Sequence, residues 1–586
     1  MSQRERLAAF TLALLFLSAT MACGPVFVPE PSPTTDLTSL PLGEAVRTIF
    51  EQKCAGCHDN GQGQGGMDFI LDAAALRDRE KVVPGEPQAS AIWLRITDPD
   101  PIRAMPPSTS GLSVSDLERD LIRQWIEAGA TDFEVSIEVP YISLEEAISV
   151  MARDVRSLSE KPRQLTRYIS LVPLSNQGVG DSVQSQDPGH LSLSDYRGAV
   201  SALLNSLSWQ EELAAPVRVD EAGTILRIDI MDYSWDEIRD PIQGLDFWQV
   251  LENAYPYPVL SSSDDFTDLQ AETGTSLPFI NAGWLLANAS RAPLYNDALQ
   301  LPETLQGVEA LLGVDLEYNR ANQRSLRAGF NDSGVSGNNR LIERQPTSFG
   351  AYWQSFDFAS NSGLQDIFTY PVTFHADGGE AIWNLPNGLQ AYMIALADGT
   401  RIDEAPTEIV RDESRADGVV RNGLSCFNCH GSQGILRTDD MVRDHVEDNV
   451  VSYDQETIDT VRDLHRATPF AEVQEEDGQR YSQSMDELGL PDRGAGLIPL
   501  ASLKYEGLVS LSTAAAELGL TVDELRGALD ANNLPAGDFV ELLPLLGEGG
   551  LVFRDSFLTV LPALNCYLAQ RYLNRTGEEA GHTGCP

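Results

Sequence analysis

Apolar residues recur at helical spacing in four pieces near the start of the chain. In "LGEAVRTIFEQKCAGCH", Ala45, Ile49 and Phe50 fall on one face and predict a helix running into a cysteine pair. "DAAALRD" and "PQASAIWLRI" predict two more helical pieces. In "SVSDLERDLIRQWIEAGA", Leu117, Leu121, Ile122, Trp125 and Ile126 make one apolar face. Ser113 is the expected N-cap of this helix and its end is expected near Gly129. Residues 42–133 thus read as a small all-α domain.

The pattern then changes. "SLEEAISVMARDVRSLS" and "YRGAVSALLNSLSW" read as helices, whereas "RYISLVPL" and "VRVDEAGTILRIDIMDYSW" alternate as strands do, with a turn at Ala222–Gly223. Residues 142–415 are therefore expected to form a mixed α+β domain. Within it, "SGVSGNN" reads as a loop in which Gly and Asn supply positive φ. "DGGE" reads as a tight turn with solvated carboxylates, and "LPNGLQAYMIAL" as a turn followed by a strand or helix start. Residues 416–586 return to helical spacing. "LSTAAAELGLTVDELRGALDANNL" carries a cap at Ser512 or Thr521, and "RDSFLTVLPALNCYLAQRYL" is a last amphipathic helix.

The first residues read as targeting rather than fold. Arg4 and Arg6 precede an apolar run from Leu7 to Ala22, and Cys23 opens a Pro-rich stretch. Residues 1–22 are expected to be an export signal and 23–41 a tether. Cys23 is expected to carry a lipid anchor in the manner of a bacterial lipoprotein, with ordinary cleavage near Ala22 as the alternative. These features place the protein in the periplasm or at the cell surface. Asp and Glu number 87 against 41 Lys and Arg, a net charge of −46. Such a surface repels nucleic acid and anionic lipid and favours basic protein partners.

Cysteine and histidine number only 7 each, yet two Cys-x-x-Cys-His motifs occur: Cys54, Cys57, His58 and Cys426, Cys429, His430. Two thiols separated by two residues add to the two vinyl groups of one haem, and the adjacent His becomes the proximal iron ligand. Zinc needs a second cysteine or histidine pair close by, and neither motif has one in the sequence. Two covalently bound haem c groups are expected. Met105, in "IRAMPPS", is held in an extended loop by the prolines after it and is the expected sixth ligand of the first iron. Cys566 and Cys585 are expected to pair as a disulfide in an exported chain. No nucleophile elbow, zinc-protease helix or phosphate loop is present in the sequence.

"CAGCH", "VVPGEP", "MPP" and "LIRQWIEAGA" resemble the planctomycete-type cytochrome c domain over about residues 42–133. That resemblance implies a small all-α cytochrome fold with His/Met ligation, and electron transfer. "NSLSW", "RIDIMDYSW", "SGVSGNNRLIER", "AYWQSFDF", "HADGGEAIWNLPNGLQAYM" and "NGLSCFNCH" resemble a group of large exported bacterial c-type cytochrome-domain proteins over about residues 165–575. This second resemblance implies haem and export and carries no established reaction.

Nothing after the second motif imitates Met-Pro-Pro. Candidates for the far side of that iron are His375, His445, His465, Met441 and Met485, or an open position. The expected molecule is multidomain: an N-terminal all-α cytochrome c domain, a mixed α+β middle and a mostly helical haem-bearing C-terminal region. Its expected function is electron transfer to a redox protein outside the cytoplasm. A haem-dependent dihaem oxidoreductase with a reactive second haem, and a surface binding protein with a structural haem, are the alternatives.

Overall fold

Helix caps and apolar faces lay out the elements before any long-range contact is made. The computed structural model describes residues 42–573, except 59–66, 68, 101–102, 108–109, 111, 131–132, 134–139, 182–190, 241–243, 491–493, 530–541, 543 and 546–549. The export signal, the tether, Cys23 and Cys585 therefore lie outside the described residues. The chain divides into two compact units, Met1–Ser136 and Ile137–Pro586.

The described part of the first unit is helical: α1 (Leu42–Lys53), α2 (Ala55–His58), α3 (Ala73–Asp78), α4 (Ala91–Ile96) and α5 (Asp116–Glu127). α5 starts two residues later than expected. Ser115, not Ser113, is its N-cap, because Ser115 and Glu118 exchange hydrogen bonds as a capping box. The residue three positions beyond Ser113 is Asp116, which is already the first residue of the helix. Ile122, Trp125 and Ile126 of α5 are buried, while Leu117 is exposed. Trp125 stacks on Phe133 and meets Phe50 of α1 edge-on, so the aromatic cluster ties α5 to the helix that enters the first motif.

The second unit has mixed secondary structure. α6 (Leu144–Ser157) is capped by Ser143, again through a capping box, and buries Ile148, Met151 and Val155. Four short strands, β1 (Thr166–Ser170), β2 (Val217–Arg218), β3 (Ile225–Asp229) and β6 (Phe279–Asn281), form a sheet ordered β2-β3-β1-β6. Gly223, at φ +64°, makes the turn into β3. β4 (Ile238–Asp240) and β5 (Leu245–Asp246) form a separate antiparallel pair.

The larger sheet is an antiparallel meander of six strands: β7 (Leu326–Ser333), β8 (Ser336–Thr347), β9 (Gly350–Asp357), β10 (Gly378–Asn384), β11 (Gln390–Leu396) and β12 (Arg401–Ile402). Two expectations fail here. "SGVSGNN" is not an extended loop: only Gly334 and Val335 separate β7 from β8, and Ser336–Asn339 already belong to the ladder. "DGGE" is not a turn. Gly378, Gly379 and Glu380 lie inside β10, paired with β11. Missing side chains let these strands approach closely: a Cβ on Gly379 would stand 2.0 Å from the Ser355 carbonyl oxygen of β9.

Helices from the last third of the chain close the unit. Phe427, Phe470, Met485 and Leu497 share one core with Trp353, Trp383 and Tyr392 of the large sheet, so the stretches 142–415 and 416–586 pack together. Asp477, on the helix Ala467–Glu487, takes two hydrogen bonds from Arg344 and one from the Trp353 indole. The helix Arg554–Leu573 is anchored by the buried Arg554–Glu517 pair. Cys566 on this helix is disulfide-bonded. No described helix is long and apolar enough to cross a membrane.

Candidate functional site

In the first unit, backbone hydrogen bonding continues from α1 into the motif. The Cys54 N–H donates to the Phe50 carbonyl at 2.9 Å and the His58 N–H to the Cys54 carbonyl at 3.1 Å. One helical turn therefore carries both thiols and the imidazole. Burial, with lesser help from Cys57 and Glu118, pushes the Cys54 thiol up to about 12. His58 Nδ1 is buried and lacks a hydrogen-bond partner among the described residues. Met105 sits in the turn after α4, its N–H donating to the Arg95 carbonyl at 2.9 Å, and the residue is 37% exposed.

The second motif is more fully enclosed. The helix Leu424–His430 starts after Gly423, whose φ of +79° brings it against the Ser290 carbonyl and the Tyr295 ring. Phe427 plugs the helix into the core, meeting Tyr295 and Tyr392 edge-on. Ser425 fixes the entry, donating to Asp412 at 2.6 Å and accepting from the Arg421 N–H. Gly431 seats the far end against Gly496, whose nitrogen a Cβ at 431 would approach to 2.5 Å.

Cys426, Cys429 and His430 of this helix all line one cavity of about 660 Å³. This lies within the roughly 300–1,000 Å³ typical of cofactor sites. A face of the large sheet forms another wall, with Arg340 and Ile342 from β8, Trp353 and Asp357 from β9, and Glu380 and Ile382 from β10. The segments around Val410 and Leu436 close it. Burial first, then Glu380, holds the Cys426 thiol well above its ordinary pKa. The same two causes push Cys429 up to about 11.

His430 is held in a defined tautomer. Its Nδ1 lies 2.9 Å from the Gly434 carbonyl, an oxygen that can only accept, so Nδ1 carries the proton. In the neutral ring this leaves the lone pair on Nε2, the form in which a metal-ligating imidazole binds. Nε2 stands 4.0 Å from a Glu380 carboxylate oxygen. Arg340 ion-pairs with Asp357 at 2.8 Å and reaches Glu380 at 3.5 Å. Burial works against the Arg340 charge, but Asp357 and Glu380 outweigh it and raise its pKa above the usual guanidinium value.

These residues suit covalent haem: two thiols and a lone-pair nitrogen on one wall of a mainly apolar cavity. Among the described residues, no three His, Cys, Asp or Glu side chains are grouped to hold a bare metal ion.

Residues 54–109 match the family model for Planctomycete cytochrome C. The matched stretch contains Cys54, Cys57, His58 and Met105, and it implies a c-type cytochrome domain with covalent haem c near the N-terminus. No curated protein and no solved structure matches the chain.

The expected far-side candidates of the second motif are scattered. His375 is exposed, on the segment that enters β10. His445 is exposed and meets Phe368 edge-on. His465 is buried and paired with Asp440 at 2.9 Å. Met485 is in the core. None of these four lines the cavity, whereas Met441, 42% exposed, does.

Arg340, and Glu380 of "DGGE", whose carboxylate is not solvated in a turn, face the cavity instead. The signal for Arg340 was the alternation in "NNRLIERQPT": Asn339, Leu341, Glu343 and Gln345 are buried on one face. Arg340 and Ile342 therefore take the other, cavity-lining side. Three of the four residues on the buried face are polar, so it does not register as a hydrophobic stripe.

Proposed function

We propose that this protein is an exported dihaem c-type cytochrome that transfers electrons outside the cytoplasm. The observation that carries the second haem is the placement of Cys426, Cys429 and His430 on one cavity wall, with the His430 Nδ1 proton committed to Gly434. Each thiol would add across one vinyl group, forming a C–S bond as its proton passes to the other vinyl carbon. Bound haem supplies a one-electron iron centre. His58 and Met105 are the proposed axial pair of the first haem, and His430 is the proposed proximal ligand of the second.

Phe427 meets Tyr295 and Tyr392 edge-on, packing that would hold the second motif helix in place when haem is bound. The net charge of −46 steers basic redox partners and makes docking salt-sensitive. The N-terminal run and Cys23 support export with a lipid tether, in the periplasm or at the cell surface.

The test is maturation of the full chain in a host that assembles c-type cytochromes. Intact mass should show two added haems, and a redox titration should resolve two one-electron steps. Met105→Leu should change the spectrum of one haem only. A product without added porphyrin mass overturns the proposal.

A second reading, a dihaem oxidoreductase, is favoured by the charged set Arg340, Asp357 and Glu380 on the cavity wall. Carbon monoxide and cyanide separate the two readings. A pure carrier leaves both haems unresponsive, and an oxidoreductase binds one of these ligands at the second haem.

A further inference from the structure

We propose that Glu380 supplies the sixth ligand of the second haem iron, through a carboxylate that small anions and diatomic molecules can displace. The inference rests on the attachment of two haems proposed above, takes the oxidoreductase side of the carbon monoxide and cyanide test, and assigns the residue that faces His430.

The first ground is distance. Bonds from a metal to an imidazole nitrogen or a carboxylate oxygen are each about 2.0–2.2 Å. Two such donors on opposite sides of one metal therefore stand about 4 Å apart. His430 Nε2 and Glu380 Oε2 are 4.0 Å apart.

The second ground is that both donors are held. The Nδ1–H···O bond to Gly434 fixes the direction of the imidazole. Glu380 lies inside β10, which pairs with β9 on one side and β11 on the other. Its N–H donates to Ser355 Oγ at 2.8 Å and its carboxylate is 3.5 Å from Arg340. A donor on a sheet strand is placed more rigidly than one on a loop.

The third ground is the surroundings of the carboxylate. Glu380 lines the same cavity as Cys426, Cys429 and His430, with Arg340 on one side and the cavity on the other.

Carboxylate is a hard, weak-field donor to iron, unlike the His/Met pair proposed for the first haem. The second iron should accordingly be high-spin when oxidised, lower in potential than the first and open to exchange. Glu380→Gln removes a negative charge that stabilises the ferric form, so the second potential should rise. Glu380→His supplies a strong-field nitrogen and should convert that haem to low spin.

The experiment uses the full-length matured protein. Intact mass is read first. Fewer than two haems in the wild type removes the dihaem reading, and the inference with it. With two haems present, electron paramagnetic resonance and magnetic circular dichroism of the oxidised wild type should show one low-spin and one high-spin iron. Cyanide should bind only the second. Glu380→His should lose the high-spin signal and at least tenfold in cyanide affinity, and Glu380→Gln should shift the second potential upward. Two low-spin irons in the wild type overturn the assignment even if neither variant folds. A high-spin signal unchanged in both variants overturns it as well.

Discussion

The imidazole of His430 donates from Nδ1 to the carbonyl of Gly434, four residues ahead, at 2.9 Å. That carbonyl is aimed by the backbone of Gly434 at φ +70°, where a Cβ would come within 2.9 Å of Tyr481 Cβ. Tyr481 in turn donates its hydroxyl to the Gly431 carbonyl at 2.8 Å. The orientation of the proposed iron ligand therefore depends on a glycine that no other residue replaces without strain.

Gly434→Ala should cost about 1–3 kcal/mol, the usual range for a side chain forced into the left-handed region. Denaturant unfolding measures the loss. The second haem spectrum should change with it, while the first stays as in the wild type. An unaltered second haem in a destabilised protein would show that the carbonyl does not orient His430.

Cys426→Ser together with Cys429→Ser should remove one haem mass and leave the other. Cys54→Ser with Cys57→Ser should do the same for the first site. Mass spectrometry of tryptic peptides locates the remaining porphyrin. Loss of both haems from either pair would contradict independent attachment.

The haem-free protein should lose stability at alkaline pH. The Cys429 thiol is raised from its ordinary 9.0 to about 11 by burial and by Glu380. A pKa raised by folding stabilises the fold fully below the unfolded value and is lost as pH rises through the folded one. The loss therefore falls between about pH 9 and pH 11. Urea midpoints at the two ends of that window measure it, and alkylation of the thiols should be slow near neutrality. Haem attachment converts the thiol to a thioether and should abolish the effect.

Asp477→Ala should destabilise the second unit by about 3–5 kcal/mol, because it strands a buried guanidinium. Arg344 and Asp477 have side chains only 11% and 3% exposed, and Trp353 loses its acceptor in the same change. Calorimetry should show the first unit's transition unmoved. A loss under 1 kcal/mol would mean that water replaces the carboxylate.

The sequence alone determined the grouping of each Cys-x-x-Cys-His trio and most of the local elements. Cys54, Cys57, His58 and Cys426, Cys429, His430 are contiguous, so a single helical turn brings each trio together whatever the rest of the chain does. Helix faces such as Ile122, Trp125 and Ile126 are legible because burial there follows a local period.

Only the tertiary structure decided what surrounds the second trio. Arg340, Glu380 and His430 lie on three elements, two strands and a helix, and meet only when the sheet has formed and the helix has docked on its face. "DGGE" looks like a turn because two glycines and two acids favour one in isolation. In the folded protein those glycines instead let neighbouring strands approach, and the ladder places Glu380 opposite the imidazole. Local propensity encodes contacts between near residues. A wall built from strands distant in sequence depends on register and docking, which no short window of the chain contains.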